Sequence, residues 1–169
     1  MTTLIIISML IIASYTAAVC IKAKEVPYSI SATFYALDHK WWFLATMWLT
    51  AGLLMPAILE VSNPNTEFLA FLACAGMIFV GAAPNFRPEF EGKIHQGGAI
   101  VCVVGSQLWV ACNCWWVLLP VWGVYIAYTI MAIRKQKEGV FLYKFRQTKP
   151  MFWVEIAALL STYLAVLIK

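Results

Sequence analysis

Between Gln96 and Ile133 the chain runs for 38 residues without a charged side chain. At 1.5 Å of rise per residue a single helix of that length would measure about 57 Å, nearly twice the ~30 Å hydrocarbon core of a bilayer. The stretch therefore has to double back. Its turn is expected at 112–116, Cys-Asn-Cys-Trp-Trp, because an asparagine followed by paired tryptophans suits a membrane interface better than hydrocarbon. The rest of the chain has the same character, with 63% hydrophobic and only 12% charged residues and a mean hydropathy of +0.81. A soluble domain is typically about a quarter charged, so much of this surface has to face lipid.

Four further apolar runs accompany the pair, giving six expected transmembrane helices at about 4–21, 41–59, 67–83, 96–112, 116–133 and 151–168. They form one all-α, polytopic domain covering 1–169. The first run has no lysine or arginine before it and is followed at once by Lys22 and Lys24, so it reads as an anchor and not as a cleaved signal peptide. The polar connection 22–40 contains an amphiphilic stretch, 28–37, too short to span but suited to the interface. Trp41 and Trp42 open the second run at the level of an aromatic belt, and Pro56 is expected to kink its last turns. Pro84 stops the third run, 85–95 reads as a charged loop, Pro120 falls in the first turns of the fifth run and Pro150 suits the start of the sixth.

Six helices put the odd-numbered connections on one side and the even-numbered connections with both termini on the other. Lys22, Lys24 and Lys40 lie in the first connection, Arg87 and Lys93 in the third, and Arg134, Lys135, Lys137, Lys144, Arg146 and Lys149 in the fifth. Only Lys169 of the twelve basic residues falls opposite. The positive-inside rule then makes the odd connections cytoplasmic and leaves the N-terminus and C-terminus outside, in a multi-pass protein of the cell inner membrane. Dropping or adding a helix would scramble this segregation.

Within lipid, helices associate by close packing, so small residues mark contacts. Gly98, Cys102 and Ser106 recur every four residues in the fourth run with Gly97 and Gly105 beside them, and Gly76 and Gly81 offer the same in the third. The fourth helix is therefore expected near the centre of the bundle. The five cysteines sit in or at the ends of apolar runs and read as packing residues. Cys112 and Cys114 lack neighbouring histidines and make a poor zinc site.

Ionisable groups inside a span need a partner, a cavity or an interfacial position. The candidates are Glu155, one turn into the sixth helix, and His95, where the third connection enters the fourth. Gln107 and Asn113 add uncharged polarity toward the outer half, and Glu60 ends the second helix. Ser29, Ser31, Asp38 and His39 of the first connection share a face with Arg87, Glu89, Glu91 and His95 of the third. A histidine beside carboxylates can act as a general base, ligate a metal or hold a headgroup. His39, adjacent to Lys40 and Trp41, reads instead as an interfacial anchor. Two histidines without HxxxH or HExxH spacing argue against a dedicated zinc hydrolase. There is no phosphate loop, nucleophile elbow or haem-attachment signature, and no acidic relay through the membrane centre. Neither metal nor cofactor is expected. The basic fifth connection reads as a contact for anionic headgroups and not for nucleic acid.

The segment Tyr28-Ser-Ile-Ser-Ala32 resembles the PSIS-like segment of the Frag1/DRAM/Sfk1 group, with Tyr28 where that pattern prefers proline. Gly81-Ala-Ala-Pro84 followed by Gly92-Lys-Ile-His95-Gln-Gly-Gly-Ala99 is similar to the proline-then-histidine stretch of its bacterial relatives, the DUF998 proteins. The resemblance covers chiefly the first two thirds of the chain. It implies a small six-helix membrane protein with a lipid connection, since a eukaryotic branch of the group takes part in remodelling lipid anchors. It carries over Ser29, Ser31, Pro84 and His95 as site residues and supplies no mechanism.

The expected function is binding of a lipid or amphiphile in a cavity near the cytoplasmic face. There His95 and Arg87 contact a headgroup, Ser29 and Ser31 contribute hydrogen bonds with Asp38, Glu91, Gln107 and Glu155 nearby, and the small-residue stripe leaves a groove for an acyl chain. An enzymatic version makes His95 the catalytic base of acyl or headgroup transfer. Two other classes are a pore-forming or membrane-perturbing effector and a structural subunit of a membrane complex. Membrane lipids are the expected partners, and a homo-oligomer is allowed.

Overall fold

The computed structural model describes residues 1–136 and 138–169, and all regular structure among them is helical. Lys137, one of the cations of the fifth connection, lies outside the described residues. The elements are α1 (Thr2–Ala23), α2 (Trp41–Glu60), α3 (Glu67–Ala82), α4 (Pro88–Lys135), the short α5 (Phe141–Gln147) and α6 (Pro150–Ile168). Short 3₁₀ turns occupy Ser31–Ala36, Pro64–Thr66 and Ala83–Asn85. Five helical segments are long and apolar enough to cross a membrane: α1, α2, α4, α6, and α3 taken with its flanking 3₁₀ turns as Pro64–Asn85.

The 48-residue α4 is not straight. Cys114 has φ −149° and ψ 52°, outside the helical region. Seven residues before it, Gln107 Oε1 accepts a hydrogen bond from the indole of Trp122, eight residues after it, at 2.9 Å. In an unbroken helix those positions would stand about 22 Å apart, so the chain reverses at Cys114 and the two arms of α4 lie side by side. The break falls inside the expected 112–116. The Asn113 side chain ties the break to the neighbouring 62–66 turn and to Lys169. Its amide donates to Thr66 Oγ1 and Trp109 O, and its Oδ1 accepts from Asn63 N and Lys169 Nζ.

Two other connections are more helical than the sequence suggests. The 85–95 segment is expected as a loop, yet α4 begins at Pro88. Proline fits the first helical position, and Glu89 and Glu91 in the first turn complement the positive end of the helix dipole. Within the basic fifth connection, Phe141–Gln147 forms α5 with Lys144 and Arg146 in its last turn. Pro56 lies inside α2 without ending it.

The α3–α4 contact is the closest in the bundle. A methyl group on Gly76 would come within 2.5 Å of the Cys102 backbone nitrogen, and one on Gly98 within 3.0 Å of the Gly76 carbonyl. Gly105 meets the backbone of Ala73 and Leu69 in the same way, whereas Gly97 faces open space and Gly81 packs on Met47 and Trp48 of α2. Gly98 and Gly105 of the stripe are thus filled by α3. The core on which these helices close includes the fully buried Trp109, Phe34, Phe43, Ile58 and Val110.

Polar links fix the remaining helices. Ser8 of α1 donates to Thr50 O of α2 at 2.8 Å and shares a hydrogen bond with Tyr163 of α6 at 2.6 Å. Gln107 joins both arms of α4 to α6 through Trp122, Ser161 and Ala158 O. One end of the bundle gathers 62–66, the α4 break and Lys169. The other end, termed the basic end, gathers 25–35, His95 and the start of α6.

Candidate functional site

At the basic end the first connection folds down onto the helices as a plug. Its serines and threonines set the local geometry. Ser29 Oγ accepts from Ala32 N at 3.0 Å, opening the 3₁₀ turn, and Thr33 Oγ1 donates to Ile30 O at 2.7 Å while sharing a 2.6 Å hydrogen bond with Tyr15 of α1. That turn drives Ile30 and Phe34 inward, where both are buried. Phe34 packs between Phe43 of α2 and the His95 ring, each centroid 5.4 Å away. Lys40 Nζ stands 5.7 Å over the Phe34 face, a cation–π contact.

The plug is stitched to α6 in both directions. Tyr28 O accepts from Phe152 N at 3.0 Å, satisfying one of the backbone donors that a helix N-terminus leaves without an internal partner. Glu155, one turn further in, accepts on Oε2 from the backbone of Ile30 and Ser31 and on Oε1 from the Ser31 hydroxyl. A carboxylate this far inside a helix bundle needs such donors, since leaving it unpaired would cost several kcal/mol.

Below this contact lies a cavity of about 80 Å³. Apolar side chains from α1, α2, α3, α4 and α6 form its walls, among them Ile12, Met47, Leu54, Met77 and Leu159. It runs along the bundle axis from Ile30, Ser31 and Glu155 toward Ile58, Ser106 and Thr162. Among the described residues Glu155 is the one carboxylate in the lining, and no lysine, arginine or histidine joins it. The lining residues from α1, α2 and α3 are buried. The half-buried ones, Ser31, Ala99, Cys102, Val103, Glu155 and Leu159, lie on the plug, the first arm of α4 and α6. The cavity is therefore least covered between α4 and α6, beneath the plug.

The residues expected to form one site are distributed over three places. Ser29, Ser31 and Glu155 meet at the plug, with Ser31 and Glu155 reaching the cavity. His95 packs against Phe34 and Tyr35 outside the lining, and its Nδ1 has no hydrogen-bond partner among the described residues. Arg87 is exposed at the residue preceding α4, and Glu91 lies one turn before His95 on the same helix. Asp38 is drawn to Lys22 at 2.7 Å, and the hydrogen bond and charge of that lysine hold its carboxyl below the usual carboxylate range. Gln107 is spent on helix-to-helix bonding.

The sequence reading singled out Ser31 and Glu155 separately and missed that they touch. The available signal was the rule that an ionisable group in a span needs a partner, combined with a hydroxyl-rich connection entering the same end of the bundle. All five cysteines are free, with Cys114 buried at the break and Cys112 exposed beside it. Comparisons with family models, with characterised proteins and with solved structures return no match.

Proposed function

We propose that this protein crosses a bacterial inner membrane six times, its basic end in the cytoplasm and both termini outside, and that its interhelical cavity receives the tail of an amphiphile arriving sideways from the lipid. Two arms of α4 provide the fourth and fifth spans, and the segregation of eleven of the twelve basic residues supports the orientation. Single-cysteine variants in a cysteine-free background test it. Asn65→Cys should react with a membrane-impermeant maleimide in intact cells and Lys24→Cys only after lysis; the reverse pattern would overturn the orientation.

The binding reading is carried by the cavity, an apolar space that Ser31 and Glu155 close at the basic end, with its thinnest cover between α4 and α6. Ligand sites combine these features, with an apolar wall for affinity and a few polar atoms for orientation. The lipid connection implied by the resemblance of 28–32 and 81–99 agrees with it. Organic extraction of the purified protein followed by mass spectrometry should recover an amphiphile in near-stoichiometric amount, and Val103→Trp, which adds an indole beneath the α4–α6 gap, should remove most of it. An empty extract from the wild type, or one unchanged by Val103→Trp in a folded protein, would end this reading. No chemical step is assigned to His95, which stands outside the lining.

A further inference from the structure

The short helix α5 buries none of its own residues. Its sequence, Phe-Leu-Tyr-Lys-Phe-Arg-Gln, is rich in apolar and aromatic side chains, yet Phe141, Leu142 and Tyr143 are 66%, 70% and 56% exposed, and the preceding Val140 is 75% exposed. The helix is nevertheless held in place. Lys144 Nζ donates to Gln136 O at 2.6 Å and Gln136 Nε2 donates to Lys144 O at 3.2 Å, which fastens α5 to the end of α4. The Tyr143 ring lies over Gly139, whose φ of +100° turns the chain and where a methyl group would stand 2.8 Å from that ring. An apolar patch exposed on a fixed helix marks a surface that something else covers.

The tethers of α5 indicate what covers it. It begins six residues after α4 ends and ends three residues before α6 begins, and both neighbours are long and apolar enough to cross a membrane. With spans on either side it stays at the bilayer surface, and a short helix that mixes aromatic and aliphatic side chains with Lys144 and Arg146 suits the headgroup layer. Beside it lies a shallow hollow of about 330 Å³, lined by Tyr143, Arg146 and Gln147 of α5, by Lys149 and by Tyr28 of the plug. Among the described residues this lining carries two cations and no carboxylate. The forked guanidinium matches phosphate oxygens, and the lysine ammonium, the tyrosine hydroxyls and the glutamine amide can all donate to them. At 3.8 Å, Glu25 attracts Lys149 without taking a hydrogen bond from it.

We propose that α5 lies in the headgroup layer at the basic end, its apolar side chains among the acyl chains, and that the hollow beside it holds the phosphate of an anionic phospholipid. The inference rests on the membrane-spanning reading and is independent of the interhelical cavity. A zwitterionic lipid offers the same phosphate, but its own ammonium offsets the charge that draws the head to Arg146 and Lys149. A head bound there touches the plug, α5 and the approach to α6 at once.

The test uses the full chain in one detergent, titrated with phosphatidylglycerol and with phosphatidylcholine of the same acyl chains and read by native mass spectrometry. The first phosphatidylglycerol should bind about tenfold or more tighter than the first phosphatidylcholine, since each cation near a membrane surface is worth about fivefold. Arg146→Gln should cut this preference about fivefold. Arg87→Gln, which removes the same charge outside the hollow, should leave it within about twofold of the wild type. Glycerol 3-phosphate at the lipid's own concentration should displace none of the bound lipid. Equal binding of the two lipids, an equal effect of the two substitutions, or displacement by glycerol 3-phosphate would overturn the proposal. Should Arg146→Gln fail to fold, a nitroxide on Leu142→Cys in the cysteine-free background, reconstituted in phosphatidylglycerol liposomes, should be relaxed more by oxygen than by an aqueous nickel chelate. The reverse would place α5 in water and overturn the proposal. None of these results bears on the cavity, which the organic extraction judges separately.

Discussion

Single polar side chains hold this bundle at points where apolar packing has no directional preference. Gln107 is the clearest example, since its Oε1 accepts from Trp122 and Ser161 while its amide reaches Ala158 O. Interhelical hydrogen bonds inside membranes average ~0.6 kcal/mol and reach about 1.7 kcal/mol. Gln107→Leu, which cuts several at once, should therefore destabilise the folded protein by roughly 1–3 kcal/mol in a detergent unfolding titration. The Lys22–Asp38 pair works differently because it is exposed. Asp38 has a lowered pKa, so whatever it adds is present above the ordinary carboxylate value and fades as pH falls through the lower folded-state value. Asp38→Asn should lower the melting temperature only slightly at neutral pH, and the difference from the wild type should vanish in acid. The sequence marked Gln107 as a candidate ligand contact because polarity in a span is conspicuous, but its type alone could not say whether a guest or a neighbouring helix satisfies it.

At the scale of elements, charge and apolar length were legible and contact faces only partly so. The doubling back of 96–133 follows from its length alone, and the observed break at Cys114 lies within the tryptophan- and asparagine-rich segment expected to turn. The glycine stripe pointed to α4 as a packing surface. It could not distinguish Gly98, whose added methyl would meet the α3 backbone, from its neighbour Gly97, which faces open space. That distinction depends on the rotation of α4 about its axis, and a one-residue step turns the face by about 100°. Gly98→Val should cost about 1–3 kcal/mol through overpacking, whereas Gly97→Val should fall within about 0.5 kcal/mol of the wild type, both read from thermal unfolding in the same detergent. The early start of α4 and the presence of α5 escaped the sequence reading because both segments are rich in charge, which marks an aqueous location without excluding a helix.

The molecule as a whole is a helical bundle closed at its basic end by a plug and hollow beneath it. The candidate site was legible as a list of polar residues but not as an arrangement, because the contact joining Ser31 to Glu155 spans 124 positions of sequence. Charge segregation indicated which connections share an end, and that was enough to bring 28–35 near His95 and the start of α6. It carried no information on which of these side chains turn inward. Burial separates them: Ser31 and Glu155 reach the cavity while Arg87 and Asp38 face outward.

The most direct test of an amphiphile site in this space is a diffraction experiment on crystals of the full chain grown with 4-bromobutan-1-ol. The account expects anomalous bromine density inside the bundle, in the space lined by Leu54 and Met77. Bromine found only on the outer, lipid-facing surfaces of the helices, with the space beneath the plug unchanged, would contradict it.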